Sequence, residues 1–189
     1  MSRWSRPGLL ALVGCLVLVV ALTVATPDPA MDYRRRWDDV GVGEWGRLEN
    51  ATVRVTSVRL TGSVVKSYGD PLVSDATFVV VAVEARVTRA HVFFSDVTLS
   101  TRDGRQYEAR QDTISSELSA TDPGFTRVAT EVFEVPDDRV AGAVLQVDHD
   151  AAAFDVYSRA VRVDLGLGPD TPRLPGPLKV TDATVRVTP

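Results

Sequence analysis

Valine-rich segments with a two-residue period are the feature that most constrains the fold of this chain. Residues 51–60, ATVRVTSVRL, begin by alternating valine with threonine or arginine. Successive side chains of a strand point to opposite faces, so this pattern predicts a strand with one buried and one wet face. Residues 76–87, ATFVVVAVEARV, are apolar on both faces at first and then alternate, which predicts a central strand.

Turn signals divide the remaining chain into further strands. Asp103-Gly104 separates two β-like runs, 92–101 and 106–110, and predicts a tight hairpin. Asp122-Pro123-Gly124 predicts a turn that leads into a strand. The further predicted strands are 126–135, 143–147, 154–157 continuing at 161–165, and 178–187, whereas residues 113–120 are predicted to form a loop.

Short strands with turns about every 8 to 12 residues, and no amphipathic helix between them, predict an all-β fold. We expect an antiparallel immunoglobulin-like β-sandwich of about 7–9 strands. Cys15 is the single cysteine of the 189 residues, so neither a disulfide nor a thiolate metal site can form within the chain. The sandwich must therefore be of the disulfide-free kind.

The N-terminus carries an apolar run that has three interpretations. Residues 9–25 contain no charge and follow two arginines, and a helix over 8–26 would span about 28 Å, close to the thickness of a bilayer core. The same run also fits a signal peptide cleaved after Ala25, or a lipoprotein signal with Cys15 as the lipidated residue. All three interpretations place residues 27–189 outside the membrane, although Arg34, Arg35 and Arg36 oppose that orientation.

These patterns divide the chain into five segments. They are a cytoplasmic N-terminus (1–8), a transmembrane helix or signal peptide (9–26), a tether (27–50), a β-sandwich (51–165), and a Pro/Gly-rich connector with a C-terminal strand (166–189). Trp37 and Trp45 stand out in the polar tether, where they could pack on the domain, lie at the membrane surface or mark a contact site.

The C-terminal segment repeats an earlier sequence. Residues 183–188, ATVRVT, are identical to residues 51–56. A chain so rich in valine and threonine can repeat six residues by chance, so the match does not establish a structural repeat. It does predict that 183–188 is a strand, which could extend the edge of the sandwich or pair with another chain.

Five short motifs resemble those of the uncharacterised family DUF4352, which includes relatives of a mycobacterial immunoprotective extracellular antigen. The motifs are VRVTSV (53–58), FVVVAVEA (78–85), RDGRQY (102–107), DPG (122–124) and FEVP (133–136). The sequence departs from the family pattern at Glu84-Ala85-Arg86, where such domains often carry an asparagine. The resemblance implies an immunoglobulin-like fold in a bacterial, actinobacterial-type cell envelope, without implying an activity.

Few residues of the sequence are candidates for a catalytic or metal-binding role. His149 lies between Asp148 and Asp150, but neighbouring strand residues face opposite sides, so we expect a solvated loop there, and His91 is distant in sequence. The acidic groups could supply oxygen ligands to Ca²⁺ at one end of a sandwich, although surface acids are usually only solvated. These groups are Asp137 with Asp138, and Asp148 with Asp150 and Asp155. We therefore assign no catalytic, cofactor-binding or metal-binding residue, and expect no enzymatic activity.

The net charge and the predicted location of the chain limit the classes of function that we expect. With 21 basic against 25 acidic residues the net charge is −4, which disfavours binding to nucleic acid. We expect a single-pass protein of the plasma membrane whose β-sandwich is a non-catalytic binding module for an envelope protein or a cell-wall ligand. The alternatives are an accessory structural subunit of a membrane protein complex, or a secreted domain if the N-terminus is cleaved.

Overall fold

The computed structural model describes residues 36–66, 69–94, 96–110, 114–115, 117–149 and 158–188. The predicted membrane segment, the lipobox cysteine and the predicted strand at 154–157 lie outside these ranges. No helix within the described ranges is long and apolar enough to cross a bilayer. Their regular structure is β-strand apart from one turn of 3₁₀ helix at Asp137–Arg139.

Two sheets contain the strands. The strands of the first sheet are β1 (Arg36–Gly41), β5 (Asp96–Ser100), β6 (Gln106–Glu108), β8 (Val144–Asp148) and β9 (Arg159–Asp164), in the order β1-β9-β8-β5-β6. The strands of the second sheet are β2 (Gly46–Arg47), β3 (Ala51–Val65), β4 (Leu72–Val87), β7 (Phe125–Val135), β10 (Arg173–Leu174), β11 (Leu178–Lys179) and β12 (Thr184–Val187). Its main order is β10-β3-β4-β7-β12, with β2 and β11 also paired to β3.

The main core lies between the two sheets and follows the valine pattern. On β4, the alternate residues Val79, Val81 and Val83 are fully buried on one face. On β9, Val161 and Val163 are fully buried and belong to the same cluster. The predicted β-sandwich is thus confirmed, because the period-2 faces of strands from both sheets share one interior.

A second, smaller core covers part of the outer face of the seven-stranded sheet. Phe78 and Val80 alternate with the inward valines of β4 and pack with Val132 of β7. Ile114 from the loop after β6 and Val180 from the C-terminal segment complete this cluster. This covering explains why β4 is apolar on both faces in its first half.

The predicted turns form where the sequence places them. The hairpin joins β5 to β6, Thr101 N donates to Arg105 O at 2.9 Å, and Gly104 has a φ of +78°, which a glycine adopts without strain. At the second turn, Gly124 has a φ of +83° and Phe125 N donates to Asp122 O at 3.3 Å. Asp-Gly and Asp-Pro-Gly therefore act as the turn chemistry indicates.

The structure differs from the sequence expectations at the sheet edges. The segment interpreted as a tether contributes β1, which pairs in parallel with β9, and β2, which pairs with β3. The short strands β10 and β11 also pair in parallel, with β3, so the sandwich is not purely antiparallel. Each is an edge strand exposed to solvent along part of its length, and such strands lack the apolar alternation that identifies central ones.

A substitution at Gly46 tests whether β2 is an integral part of the domain. A Cβ at this position would collide with the buried side chain of Val161. We expect Gly46→Ala to lower the free energy of unfolding by about 1 to 3 kcal/mol. Urea unfolding of the full chain in mild detergent measures the change, with Gly62→Ala as the control, since a Cβ at Gly62 meets no atom within 4 Å. Equal effects of the two substitutions would contradict this packing.

Candidate functional site

His91 forms an exposed hydrogen bond at one end of the sandwich. Its Nδ1 lies 2.8 Å from Asp122 Oδ1, in the turn that precedes β7. The backbones of Val92 and Thr121 hold the two segments together through a β-bridge. The pair therefore ties two loops together, and His149 lies elsewhere in the fold.

Asp148 and His149 correct the expectation of a solvated loop. Asp148 is the last residue of β8, and both side chains are buried, with His149 only 8% exposed. Asp148 Oδ1 accepts from His149 N at 2.8 Å, while His149 Nδ1 is 3.7 Å away from the same oxygen. Asp150 and Asp155, the other acids of this group, lie outside the described residues.

The acidic pair after β7 forms part of the 3₁₀ turn. Asp137 Oδ1 accepts from Thr77 Oγ1 at 2.6 Å and from Arg173 Nη2 at 2.8 Å. The hydrogen bonds from Thr77 and Arg173 lower the pKa of Asp137. Within the described ranges, no group of three or more His, Cys, Asp or Glu side chains is arranged to hold a metal ion. Asp137 instead links this turn to β4 and β10.

Glu84 is a buried carboxylate with a full set of countercharges. Its side chain, 3% exposed, accepts from Arg54 Nη2 at 2.5 Å and from Arg186 Nη2 at 2.7 Å. Arg86 Nη2 lies 3.6 Å from it. Burial alone would raise the pKa of Glu84, but the hydrogen bonds from Arg54 and Arg186 outweigh it and hold that pKa below its ordinary value. The cluster is thus an ionised network in which three arginines surround one carboxylate.

The two identical hexapeptides meet at this carboxylate. Arg54 belongs to the first copy, on β3, and Arg186 to the second copy, on β12. The indole of Trp45 lies against the same network, with the guanidinium carbons of Arg54 and Arg86 at 4.5 and 4.2 Å from the ring centroid. The arginines therefore fasten the C-terminal strand and the chain before β3 to one side chain of β4.

Trp37 packs in a similar way on the other sheet. The guanidinium carbon of Arg162 lies 5.2 Å from its ring centroid, and Arg162 donates to both carboxylate oxygens of Asp39 at 2.7 and 3.0 Å. Both tryptophans of the presumed tether are thus packed against arginines of the domain.

Glu131 is the exception to the apolar interior. On β7, Ala129, Phe133 and Val135 belong to the main core, and Glu131 occupies the same alternating face between them. It pairs in register with the fully buried Val81 of β4 and is itself only 2% exposed. A carboxyl group therefore lies in the interior of the sandwich.

The Glu131 side chain lines a cavity of about 250 Å³ between β7 and the β5–β6 hairpin. We call it the Glu131 cavity. Its apolar wall consists of Phe93, Phe94, Val97, Ala109 and Leu118. Phe93 is 49% exposed at the cavity, so an aromatic ring borders both the cavity and solvent. A concave surface that combines apolar side chains with a few polar groups is typical of a ligand site.

Carboxyl groups dominate the polar part of the Glu131 cavity. Asp96, Glu108 and Glu117 line it together with Glu131, and none of the described lining residues is basic. Burial raises the pKa of Glu131 to about 7, and nearby Glu117 adds to this, whereas the Leu118 N–H and Arg127 act in the opposite direction. The cavity therefore holds an acid that changes charge near neutral pH.

One oxygen of Glu131 accepts no hydrogen bond from the part of the chain that the structure describes. Oε1 accepts from Leu118 N at 2.6 Å, which fixes the orientation of the carboxyl group. Oε2 has no donor among the described residues. The guanidinium of Arg127 lowers the pKa of Glu131 but donates to the backbone carbonyl of Glu117 at 3.0 Å. Among the described residues, Glu131 therefore forms no ion pair.

The sequence contained a signal for Glu131. In residues 125–135, FTRVATEVFEV, the alternation that predicts β7 puts Glu131 on the same face as Ala129, Phe133 and Val135. A charge on the apolar face of a central strand marks an exception that needs a physical reason. The other cavity residues are far apart in sequence, and only the sheet order brings them together.

Comparisons with known proteins give little beyond the sheets themselves. No family model matches the chain, and no curated protein matches it. An uncharacterised β-sandwich protein from Clostridium difficile 630 is 13% identical, with 71% of this chain and 99% of that chain covered and a TM-score of 0.43. The yjhA protein from Bacillus subtilis is 10% identical, with 66% and 99% covered and a TM-score of 0.49.

The arginines around Glu84 should differ in their contribution to stability. Arg54 is 31% exposed and Arg186 is 60% exposed. We expect Arg54→Met to cost about 2 to 4 kcal/mol, because it removes the better-buried partner of a buried charge. Arg186→Met should cost about 1 kcal/mol or less, since water screens a more exposed pair. Urea unfolding of both variants measures the costs, and the reverse order would contradict the network described here.

Glu131 should make stability depend on pH. Its folded pKa lies above the ordinary value of 4.5, so the folded state keeps a proton that the unfolded state loses between about pH 4.5 and 7. The free energy of unfolding should therefore fall across this window and level off above it. Relative to the unmodified chain, Glu131→Gln should gain about 1 to 3 kcal/mol between pH 4.5 and 8.

Urea unfolding at pH 4.5, 6, 7 and 8 gives this difference directly. Glu49→Gln, at an exposed position, controls for the loss of one negative charge. A difference between Glu131→Gln and the unmodified chain that does not change with pH would show that Glu131 is not protonated in the folded state.

Proposed function

We propose that this protein is a non-catalytic binding module of the bacterial cell envelope and that it binds its ligand in the Glu131 cavity. The observation that carries the proposal is the buried, singly hydrogen-bonded carboxyl of Glu131 beside an apolar wall. Burying a carboxyl group among valines without all of its hydrogen bonds costs free energy. A ligand that supplies the missing hydrogen-bond donor offsets part of that cost.

The strand order supports an immunoglobulin-like arrangement within this proposal. The order β3-β4-β7 in one sheet and β5-β8-β9 in the other corresponds to the strand neighbours of that fold when β3 is taken as its first strand. In such sandwiches, ligand sites commonly lie in loops carried by a rigid scaffold. The loop that carries Leu118, between β6 and β7, supplies part of the Glu131 cavity in this way.

The apolar run at residues 9–26 supports a location outside the plasma membrane. A helix of that length, preceded by two arginines and followed by Pro27, fits a single-pass anchor that leaves the C-terminal domain extracytoplasmic. The partners of the protein would then be the membrane itself and an envelope protein or cell-wall ligand. A domain held near the wall can bind such ligands at high local concentration.

Photo-crosslinking in intact cells tests the proposal. We would place a photoreactive phenylalanine analogue at Phe93, beside the cavity, in the full-length chain. We expect a recurrent adduct at this position and a much weaker one with the analogue at Gln106, which lies on β6 and is not among the residues that line the cavity.

The location of the domain is tested separately. If the domain lies outside the plasma membrane, a protease added to cells without their wall should remove a C-terminal tag.

A variant with the cavity filled provides the control. Ser119 lines the Glu131 cavity and is partly exposed, so Ser119→Trp should block the cavity while preserving the strands. We expect it to reduce the Phe93 adduct at least fivefold. An adduct of unchanged yield in Ser119→Trp, or none at Phe93 in the unmodified chain, would rule out the cavity as the binding site.

A further inference from the structure

We propose that the Glu131 cavity binds an organic cation, a primary ammonium group on an aliphatic stem, with the ammonium at Glu131 and the stem against Phe93, Phe94 and Leu118. This inference rests on the proposed function, which requires a ligand in the cavity without fixing its chemistry. Charge, wall composition and volume together select this class of ligand.

The charge of the cavity selects a cation. The described lining includes four acidic residues and no basic one. Of the other three acids, Glu117 is near enough to Glu131 to raise its pKa. The contrast with Glu84 is informative, because that equally buried carboxyl is contacted by three arginines. Among the described residues Glu131 has one donor, the Leu118 N–H, which leaves its second oxygen to a donor supplied by a ligand.

The walls select an organic cation over a metal ion. Hard cations such as Ca²⁺ take six to eight oxygen ligands, whereas five of the eleven described lining residues are aromatic or aliphatic. No arrangement suitable for a metal occurs within the described ranges. Phenyl rings do suit an ammonium group, since their faces attract cations. Phe93 and Phe94 would thus contact the stem or the charged group directly.

The volume of the Glu131 cavity limits the size of the ligand. Sites for drug-sized molecules run from roughly 300 to 1,000 Å³, so a cavity of about 250 Å³ fits one side chain or a small amine. A lysine-like side chain of a protein or of a wall peptide would fit, and so would a free alkylamine. These two sources share the same chemistry and are separated below by the choice of probe.

Binding should be coupled to the ionisation of Glu131. The groups that act on its pKa are Glu117, Arg127 and the Leu118 N–H. Burial holds its pKa near 7 in the absence of a ligand. An ammonium ion favours the carboxylate, so its affinity should rise about tenfold between pH 6 and pH 8 as the ionised fraction of Glu131 rises.

Titration of the full chain in mild detergent with matched probes tests the inference. The probes are pentylamine, its neutral counterpart pentanol and its anionic counterpart hexanoate, and the Leu118 amide resonance reports occupancy because that N–H is bonded to Glu131. We expect pentylamine at pH 8 to bind at least tenfold more tightly than pentanol. Glu131→Gln should remove this preference, whereas Glu49→Gln should keep it.

The source of the amine is tested with a lysine-containing peptide and with a form of it whose side-chain amine is acetylated. Tighter binding of a lysine-containing peptide than of pentylamine would indicate a polymer or protein source, and the reverse would indicate a free amine. Either result supports the inference if acetylation of the amine abolishes binding.

Two results would overturn the inference. One is equal binding of pentanol and pentylamine, and the other is a pentylamine affinity unchanged by Glu131→Gln. If the Phe93 adduct nevertheless depends on an open cavity, the binding function stands and only the ligand class is wrong. If Ser119→Trp leaves that adduct unchanged while pentylamine binds as expected, the cation site stands and the assigned function falls.

Discussion

The valine interior between the two sheets is the constraint on which the rest of this structure depends. Val79, Val81 and Val83 of β4 and Val161 and Val163 of β9 are fully buried where the two sheets meet. In such an environment a charge is tolerated only with compensating partners. The two buried glutamates of the seven-stranded sheet are therefore more informative about structural and binding roles than the many ion pairs at the surface.

Glu84 and Glu131 face opposite sides of the same sheet and have opposite electrostatic environments. Arg54 and Arg186 hold the pKa of Glu84 below its usual range, while burial raises that of Glu131 to about 7. The first carboxylate fastens β12 and Trp45 to β4, a structural role. Glu131 forms no ion pair with the described residues and lines a cavity, so it has no structural role comparable to that of Glu84. This asymmetry separates a structural ion cluster from a candidate binding group.

The sequence predicts the central strands well because burial on one or both faces leaves a two-residue period. The hairpin at Asp103-Gly104 is predictable for a different reason, since few dipeptides accept its backbone geometry. The strands β1 and β10 escape prediction because an edge strand exposed to solvent needs no apolar face. The burial of His149 likewise depends on packing that no local pattern records.

The candidate site was only half visible in the sequence. Glu131 breaks the alternation of its strand, and that exception can be found by counting residues. Its significance depends on whether a countercharge reaches it, which the order of strands determines. The β5–β6 hairpin brings Asp96 and Glu108 to the same cavity, while the arginines of the sheet gather at Glu84 on the other face. Sheet topology, by separating these charges, converts a local irregularity into an acidic cavity with room for a ligand.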